Sequence, residues 1–388
     1  MITLLTHFFI KEPEEVHKPE VRRAYGVLCS LLGIGLNVCL FAGKFFAGWL
    51  SGSIAVRADA FNNLSDAGSS FITMIGFHFS GKKPDKDHPF GHGRIEYVSG
   101  LLVAALIVWM GLELGRSSLG KILKPQPVDA GVLSMVILLV SILVKLYMCL
   151  YNRRIGGRIA SAAMKATAMD SLSDAVATTV VLFSMLLTRF AGVAVDGWCG
   201  ALVALFIIKA GYDAAKDTLT PLLGQAPDPD FIRQIKEIVT AHEEIMGIHD
   251  LIVHDYGPGR VMISLHGEVD GNGNIYMLHD AIDRIERELK EKLFCDAVIH
   301  MDPIAVDDTA VMAMKERLEE ELARMDFGLS LHDFRMVQGP THTNLIFDVA
   351  MPSDCPECEE EIQAKVEEMV REAGENFYPV IRIDKTYV

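Results

Sequence analysis

Acidic residues stand inside two long apolar stretches of this sequence. The segment 57–67 reads Arg-Ala-Asp-Ala-Phe-Asn-Asn-Leu-Ser-Asp-Ala, and further along the chain the segment 165–175 reads Lys-Ala-Thr-Ala-Met-Asp-Ser-Leu-Ser-Asp-Ala. Six of the eleven positions are identical, which indicates an internal repeat. A carboxylate inside a bilayer is costly unless it is paired, hydrated or bound to an ion, so acids there usually mark an ion path. The repeat therefore predicts two membrane helices that carry an ion site.

Each segment offers two oxygen ligands four residues apart. These are Asn62 and Asp66 in the first segment, and Asp170 and Asp174 in the second. Residues four apart share one face of a helix, so two such helices facing each other would present four oxygens to one divalent cation. A polar lining of an ordinary helix contact is the simpler alternative. That alternative leaves the repeat and its three acids unexplained.

Composition supports a membrane protein with a soluble part. Half of the 388 residues are hydrophobic, and the charge divides unevenly, with a net +6 in residues 1–212 and a net −21 in residues 213–388. An acidic soluble half repels nucleic acid, so nucleic-acid binding is not expected as a function. The seven cysteines follow no regular framework, which predicts reduced thiols facing the cytosol.

Six apolar segments are long enough to cross a bilayer as helices. They span residues 25–50, 54–80, 97–114, 132–151, 160–187 and 193–215. Twelve Lys and Arg residues lie in segments 1–24, 81–94 and 152–165, against four in the alternate loops, which predicts that both termini are cytoplasmic. The second and fifth helices then cross in opposite directions, as in transporters with inverted repeats and a midplane site.

Three lysines also lie within the apolar segments: Lys44, Lys145 and Lys209. A lysine stem packs against apolar surface while its ammonium reaches for a polar partner. We therefore expect these lysines to reach the membrane interface or to pair with the acids.

The polar loop 81–94 contains a second group of metal-ligand types. Asp85, His88 and His92 could together hold a borderline metal such as zinc. A glycine-rich loop ordered by ordinary hydrogen bonds is an equally good interpretation of the same residues.

From Pro227 the pattern alternates between helix and strand. Residues 230–242 and 277–293 have helical periodicity, while 251–254, 261–269 and 297–301 are typical of strands. The order αββαβ predicts a small open sheet with helices on one face. A similar series follows at 310–325, 334–337, 344–350, 357–373 and 380–383. His249-Asp250-Leu251 is echoed by His332-Asp333-Phe334 in this later series, so we expect a second copy of the same unit.

These features together resemble the cation diffusion facilitator family of metal-ion antiporters. The resemblance covers roughly residues 20–305 and includes the paired ligands, the His-Pro-Phe-Gly-His-Gly-Arg loop and an αββαβ region that ends in His300-Met-Asp-Pro. It implies six transmembrane helices, a cytoplasmic α+β ferredoxin-like domain, a homodimer in the cell membrane, and efflux of a divalent cation in exchange for H⁺. The predicted domains are a cytoplasmic segment 1–24, a transport domain 25–215, a metal-binding and dimerisation domain 216–306, and a second αββαβ module 307–388.

The resemblance also implies three groups of metal ligands, carried over position by position. The transport site falls on Asn62, Asp66, Asp170 and Asp174, and a peripheral loop site falls on Asp85, His88 and His92. In the cytoplasmic domain, positions that bind metal across a dimer interface in zinc-transporting members fall on His249, His266, His279, His300 and Asp302.

Two departures from the zinc-transporting pattern bear on the ion. Such members usually have a histidine where this chain has Asp170 and an aspartate where it has Asn62. Carboxylate and amide oxygens suit manganese better than zinc, so we expect Mn²⁺ as the transported substrate, with Zn²⁺ or Fe²⁺ as the alternative. A membrane-anchored metal sensor is a further alternative. An enzyme is not expected, because the sequence has no nucleophile-and-base motif such as HExxH.

The C-terminal module falls outside the resemblance. Its final predicted strand reads Ile381-Arg-Ile-Asp384 and has no counterpart of His-Met-Asp-Pro, so we expect this module to be structural or to mediate assembly. The single pair Cys355 and Cys358 is too small for a closed zinc site, and surface thiols are the favoured interpretation.

Overall fold

The structure is a computed structural model of the 388-residue chain. It describes residues 6, 8–16, 18–50, 54–123, 132–191, 196–305, 307–325, 327–353, 355–374 and 376–386. The chain divides into two compact units. The first comprises Met1–Gln225 with Asp255–Arg260, and the second comprises Ala226–His254 with Val261–Val388.

Long helices build the first unit. Within the described residues they are α1 Pro19–Leu50, α2 Ile54–Ser80, α3 Ile95–Leu123, α4 Val132–Arg158, α5 Ala162–Ala191 and α6 Asp196–Leu223. The shortest have 27 residues, which is about 40 Å of helix and longer than the hydrocarbon layer of a bilayer.

Membrane-spanning character is established for four stretches of the described chain. Glu20–Ala47, Ile95–Leu123, Met135–Arg158 and Gly197–Leu223 are long and apolar enough to cross a membrane. The helices α2 and α5, which carry the repeated acids, are not among them. That these two helices also cross the membrane stays a prediction.

Close packing and one buried ion pair hold the helices at one end of this unit. Tyr25 and Phe77 are fully buried in the core shared by α1, α2 and α4. A side chain at Gly26 would meet the Phe77 ring, so only glycine allows α1 and α2 to approach this closely. Arg22 of α1 forms a two-point ion pair with Glu96 of α3, and Glu96 is completely buried.

The second unit contains the order αββαβ twice in succession. The first series is α7 Pro229–Thr240, β1 Gly247–Asp255, β2 Val261–Asp270, α8 Ile275–Leu293 and β3 Cys295–Ile304. The second series is α9 Thr309–Arg324, β4 Ser330–Gln338, β5 Thr343–Pro352, α10 Glu359–Ala373 and β6 Phe377–Thr386. We call these series the first and second segments. Asp228, Asn274 and Asp308 cap the starts of α7, α8 and α9 by accepting backbone N–H groups.

Each segment forms a three-stranded sheet around its own core. The strand orders are β1-β2-β3 and β4-β5-β6, and the second and third strands of each sheet are parallel. Leu265, Ile285 and Leu289 are among the buried residues of the first core. Leu318 and Phe347 are among those of the second. Helices and sheet bury apolar residues against each other, so each segment has the layered build of an α+β domain.

Candidate metal sites

The repeated acids meet a buried lysine from a third helix. Asp66 of α2 is 5% exposed and Asp170 of α5 is 3% exposed, while the side chain of Asp174 keeps 18% of its surface exposed. The Nζ atom of Lys145, on α4, lies 2.7 Å from Oδ2 of Asp66 and 2.7 Å from Oδ2 of Asp174. Both contacts are charge-assisted hydrogen bonds. Carboxylates from two helices therefore define a single position for a cation.

Lys145 does not exhaust the acidic groups of this site. Asp170 lies one helical turn before Asp174, and its buried Oδ1 has no hydrogen-bond partner among the described residues. Lys44 of α1 is also buried and interacts electrostatically with Asp66. The prediction that lysines in apolar segments pair with acids is confirmed for Lys145.

The fourth predicted oxygen ligand of the transport site has a different setting. Asn62 is exposed, one turn before Asp66 on α2. The neighbouring Asn63 is 3% exposed, and its Nδ2 has no hydrogen-bond partner in the described part of the chain. The buried cluster thus consists of Asp66, Asp170 and Lys145 with the partly exposed Asp174.

The predicted loop site is gathered in space. His88 Nδ1 lies 3.4 Å from Asp85 Oδ1, and His92 Nε2 lies 3.3 Å from Asp85 Oδ2. The backbone N–H of His88 donates to Asp85 Oδ1 at 2.8 Å, which lowers the pKa of Asp85 and favours its ionised form. Potential ligand atoms of the three residues lie within 4.8 Å of one another. One oxygen and two nitrogen ligands suit a borderline divalent ion.

Three residues of the predicted cytoplasmic site also converge, one from each strand of the first sheet. His249, His266 and Asp302 place ligand atoms within 4.8 Å of one another. His266 Nδ1 donates to Asp302 Oδ2 at 2.8 Å, and His249 Nε2 lies 3.1 Å from the same oxygen. The arrangement offers two imidazoles and a carboxylate, a ligand set typical of zinc sites.

The other two histidines of that prediction differ in position. His300 is two residues before Asp302 on β3 and therefore on the same face of the strand, with Nε2 3.3 Å from Asp302 Oδ1. His279 lies on α8, where its exposed ring is 3.5 Å from Asp283. Within the described residues of this chain, His279 stands apart from the other candidate ligands.

Sequence reasoning missed one further cluster. Carboxylate oxygens of Asp250, Asp348 and Asp384 lie within 4.8 Å of one another. A signal was present in the strand spacing, because Asp348 follows His266 at the same sequence separation at which Asp384 follows Asp302. The motif comparison with His-Met-Asp-Pro obscured this correspondence.

Comparison with known proteins decides the family. Residues 30–223, half of the chain, match the transmembrane domain of cation efflux proteins. Residues 227–304 match the cytoplasmic domain of the same proteins. The chain belongs to the cation efflux family. The resemblance to cation diffusion facilitators is thereby confirmed, and cation efflux proteins are membrane transporters of divalent cations with a cytoplasmic dimerisation domain.

Cation efflux relatives match this chain over nearly their whole length. An uncharacterized transporter of Methanocaldococcus jannaschii is 29% identical over 74% of this chain and 98% of its own length. The cation-efflux pump FieF of Shewanella oneidensis is 28% identical over 73% of this chain and 95% of its own length. FieF of Klebsiella pneumoniae is 27% identical over 76% of this chain and all of its own length. The second αββαβ segment lies beyond the two cation efflux domains matched in this chain.

Proposed function

We propose that this chain exports Mn²⁺ across the cell membrane in exchange for H⁺, through a transport site formed by Asp66, Asp170, Asp174 and Asn62. The observation that carries the proposal is the position of Lys145, whose ammonium is held by Asp66 and Asp174 from two different helices. A pair of buried carboxylates that binds one cation can exchange it for another. The family supplies divalent-cation efflux, and the proposal adds the ion, the counter-ion and the site.

Ligand chemistry favours manganese. Carboxylate and amide oxygens are hard ligands and suit Mn²⁺, whereas imidazole and thiolate favour zinc. Asp170 is buried on α5 with an unpartnered oxygen, among the described residues, at the position where zinc-transporting members usually have histidine. Export of Zn²⁺ or Fe²⁺ by the same mechanism is the alternative.

Lys145 provides a physical link between metal binding and charge. A divalent ion bound between Asp66 and Asp174 would repel the ammonium strongly, because few charges screen the interaction in a buried site. Arrival of the metal therefore requires Lys145 to move away or to release its proton. After the metal leaves, protons or the ammonium neutralise the carboxylates again, which would couple metal export to proton entry.

Topology and assembly complete the proposal. We infer six membrane-spanning helices, both termini in the cytoplasm, and a homodimer joined through the cytoplasmic domains. The loop site at Asp85, His88 and His92 and the site at His249, His266 and Asp302, with His300 and His279 as further ligands, would bind metal without being on the transport path. The geometry of the first two groups supports this assignment.

The test is metal uptake into proteoliposomes with an internal pH indicator. Manganese, iron, zinc, cobalt and cadmium are compared one by one, and we expect the fastest flux for Mn²⁺, with an opposite movement of H⁺. Asp66→Ala and Asp174→Ala should each slow the flux about 100-fold, because each removes a charge that offsets the ion's desolvation. Asp213→Ala, at an exposed acid on α6, is the matched control and should leave the flux unchanged.

The same assay separates a transporter from a membrane-anchored metal sensor. A sensor would bind Mn²⁺ but would not move it into sealed vesicles. Near-normal flux in Asp66→Ala would overturn the site, and a faster zinc flux would overturn the choice of ion. Flux without any change of internal pH would overturn the exchange with H⁺.

A further inference from the structure

Three carboxylates converge between the first and second segments. Asp250 lies on β1 of the first segment, whereas Asp348 and Asp384 lie on β5 and β6 of the second. Their oxygens lie within 4.8 Å of one another. Two of the three acids thus come from the part of the chain that lies beyond the matched cation efflux domains.

An interruption of β1 brings Asp250 into this cluster. Successive side chains of a regular strand point to opposite faces, so His249 and Asp250 would normally diverge. The φ angle of Asp250 is 51°, in the left-handed region that aspartate tolerates better than most residues. In this conformation the Oδ2 atom of Asp250 lies 3.6 Å from Nδ1 of His249. Asp333, in the corresponding place on β4, has the same φ angle of 51°.

The strand register shows what the other two acids correspond to. On β2 and β3, His266 pairs with residue 300, and Asp302 lies two residues further along β3. On β5 and β6, Asp348 pairs with residue 382, and Asp384 lies two residues further along β6. Asp348 and Asp384 thus occupy the places that His266 and Asp302 occupy in the first sheet. The second segment retains the layout of a metal site with an oxygen ligand in place of one imidazole.

A buried histidine without hydrogen bonds points independently to a ligand. The side chain of His249 is only 2% exposed, and within the described chain neither ring nitrogen has a hydrogen-bond partner. Its Nε2 faces Asp302 and its Nδ1 faces Asp250. The ring of His332 stacks on it at 4.8 Å and 16°. Buried polar atoms are normally satisfied, so an unsatisfied imidazole between two carboxylates indicates a missing partner.

Electrostatics also favours a bound cation. Burial, together with the negative charges of Asp384 and Asp333, raises the pKa of Asp348. The buried Oδ2 of Asp384 has no hydrogen-bond partner in the described residues. Arg382 contacts the other oxygen of Asp384 at 3.1 Å, but its side chain is 72% exposed and such a pair contributes little. A divalent ion would relieve the repulsion among the three acids.

We propose that Asp250, Asp348 and Asp384 bind a hard divalent cation that fastens the second segment to the first. Oxygen ligands select ions such as Mn²⁺ and Ca²⁺ over zinc. Metal–oxygen distances of about 2.3–2.6 Å place opposite ligands of one ion about 5 Å apart, which agrees with the spread of these oxygens. His249 lies between this site and the His249–His266–Asp302 site, so occupancy of one affects the other. The inference does not depend on the proposed transport of manganese.

The experiment counts Mn²⁺ ions bound to the full-length protein in detergent, by equilibrium dialysis and electron paramagnetic resonance. We compare the wild type with Asp348→Asn/Asp384→Asn, in which amides replace two of the negative ligands. The double variant should bind one Mn²⁺ fewer per chain, or bind that ion at least tenfold more weakly. Asp280→Asn/Asp296→Asn is the matched control, because these exposed acids pair with Arg284 and Lys290 outside the cluster. The control should bind as the wild type does.

A single substitution in the other segment guards against misfolding of the double variant. Asp250→Asn keeps a residue that tolerates a positive φ angle and should cause the same loss of one ion. Limited proteolysis of the link around residues 305–308 provides a second measurement, since Mn²⁺ should protect it in the wild type and not in Asp250→Asn. Unchanged Mn²⁺ binding in Asp250→Asn and in the double variant would overturn the site, whatever the vesicle flux shows.

Discussion

The Nζ atom of Lys145 lies 2.7 Å from Oδ2 of Asp66, and both groups are almost completely buried. The same ammonium lies 2.7 Å from Asp174. An internal cation thus occupies the position between carboxylates that the repeat assigns to a metal ion. Competition between the two cations is the basis of the first prediction.

Replacing Lys145 should destabilise the metal-free protein and increase its response to metal. Lys145→Met leaves two acids without their counter-ion, and breaking a buried pair in this way costs about 3–5 kcal/mol. Mn²⁺ should restore more stability in this variant than in the wild type, because no ammonium competes for the site. Thermal unfolding in detergent, with and without Mn²⁺, measures both effects.

The control is Lys209→Met, the same substitution at an exposed lysine on α6. It should change neither the stability nor the response to Mn²⁺. The competition argument fails if Mn²⁺ stabilises Lys145→Met no more than it stabilises the wild type.

Ion selectivity should follow the ligands at two positions. Asp170→His together with Asn62→Asp supplies an imidazole and keeps the number of carboxylates constant, so preference should move toward Zn²⁺. We expect at least a tenfold change in the ratio of zinc to manganese flux when both ions compete in one vesicle assay. An unchanged ratio would mean that packing or access sets selectivity, with little part for ligand type.

The acidic positions of the transport site were accessible to sequence reasoning, but the lysine between them was not. The repeat identifies Asp66 and Asp174 because membrane acids are rare and the two motifs are alike. Lys145 is on a different helix from either acid, so only the packing of α4 against α5 brings it to the site. A lysine in an apolar segment predicts a polar partner without specifying which acid it is.

The two αββαβ segments show the same limit at the level of strands. Periodicity and the His-Asp echo identify the order of elements, and both series are present in the structure. The metal-ligand layout of the second segment depends on register, and the irregularity between His332 and Arg335 shifts the pairing of β4 with β5. The echo on β4 therefore does not carry over directly to the ligand positions on β5 and β6. The stacking of His332 on His249 is a tertiary contact that no local pattern encodes.

The buried Arg22–Glu96 pair yields a prediction about stability alone. Glu96 accepts two hydrogen bonds from Arg22 and one from Ser161 at 2.6 Å, and Arg22 also donates to the Ile159 carbonyl at 2.7 Å. The network joins α1, α3 and the link between α4 and α5. Glu96→Gln leaves the arginine charge buried without a counter-ion, and we expect a loss of about 3–5 kcal/mol in unfolding free energy.

Its matched control is Glu113→Gln on the same helix, where the acid is exposed and its contact with Arg116 is 4.0 Å long. An exposed pair contributes at most about 1 kcal/mol, so this variant should unfold like the wild type. Equal stability of both variants would show that the buried pair is not a structural tie. Metal binding to the cytoplasmic sites should be the same in both.

Metal should draw the cytoplasmic domains of a homodimer together. Residues 213–388 carry a net charge of −21, so two copies repel each other at low ionic strength, and bound divalent cations offset that repulsion. His249, His266 and Asp302 provide a ligand group in each copy, with His300 beside it. A constitutive contact between apolar helix faces is the alternative, and it predicts a separation independent of metal.

The distance between two copies distinguishes these possibilities. A spin label at Lys236→Cys, on the exposed face of α7, is introduced after the accessible cysteines have been replaced by serine. We expect the distance between labels on the two copies to shorten with Zn²⁺ or Mn²⁺ and the change to disappear in His249→Ala/His266→Ala. His254→Ala, at an exposed histidine of β1, should respond as the parent does. A distance that ignores metal, or a change that survives loss of both histidines, would rule out the clamp, because electrostatic relief at these ligands is its only driving force.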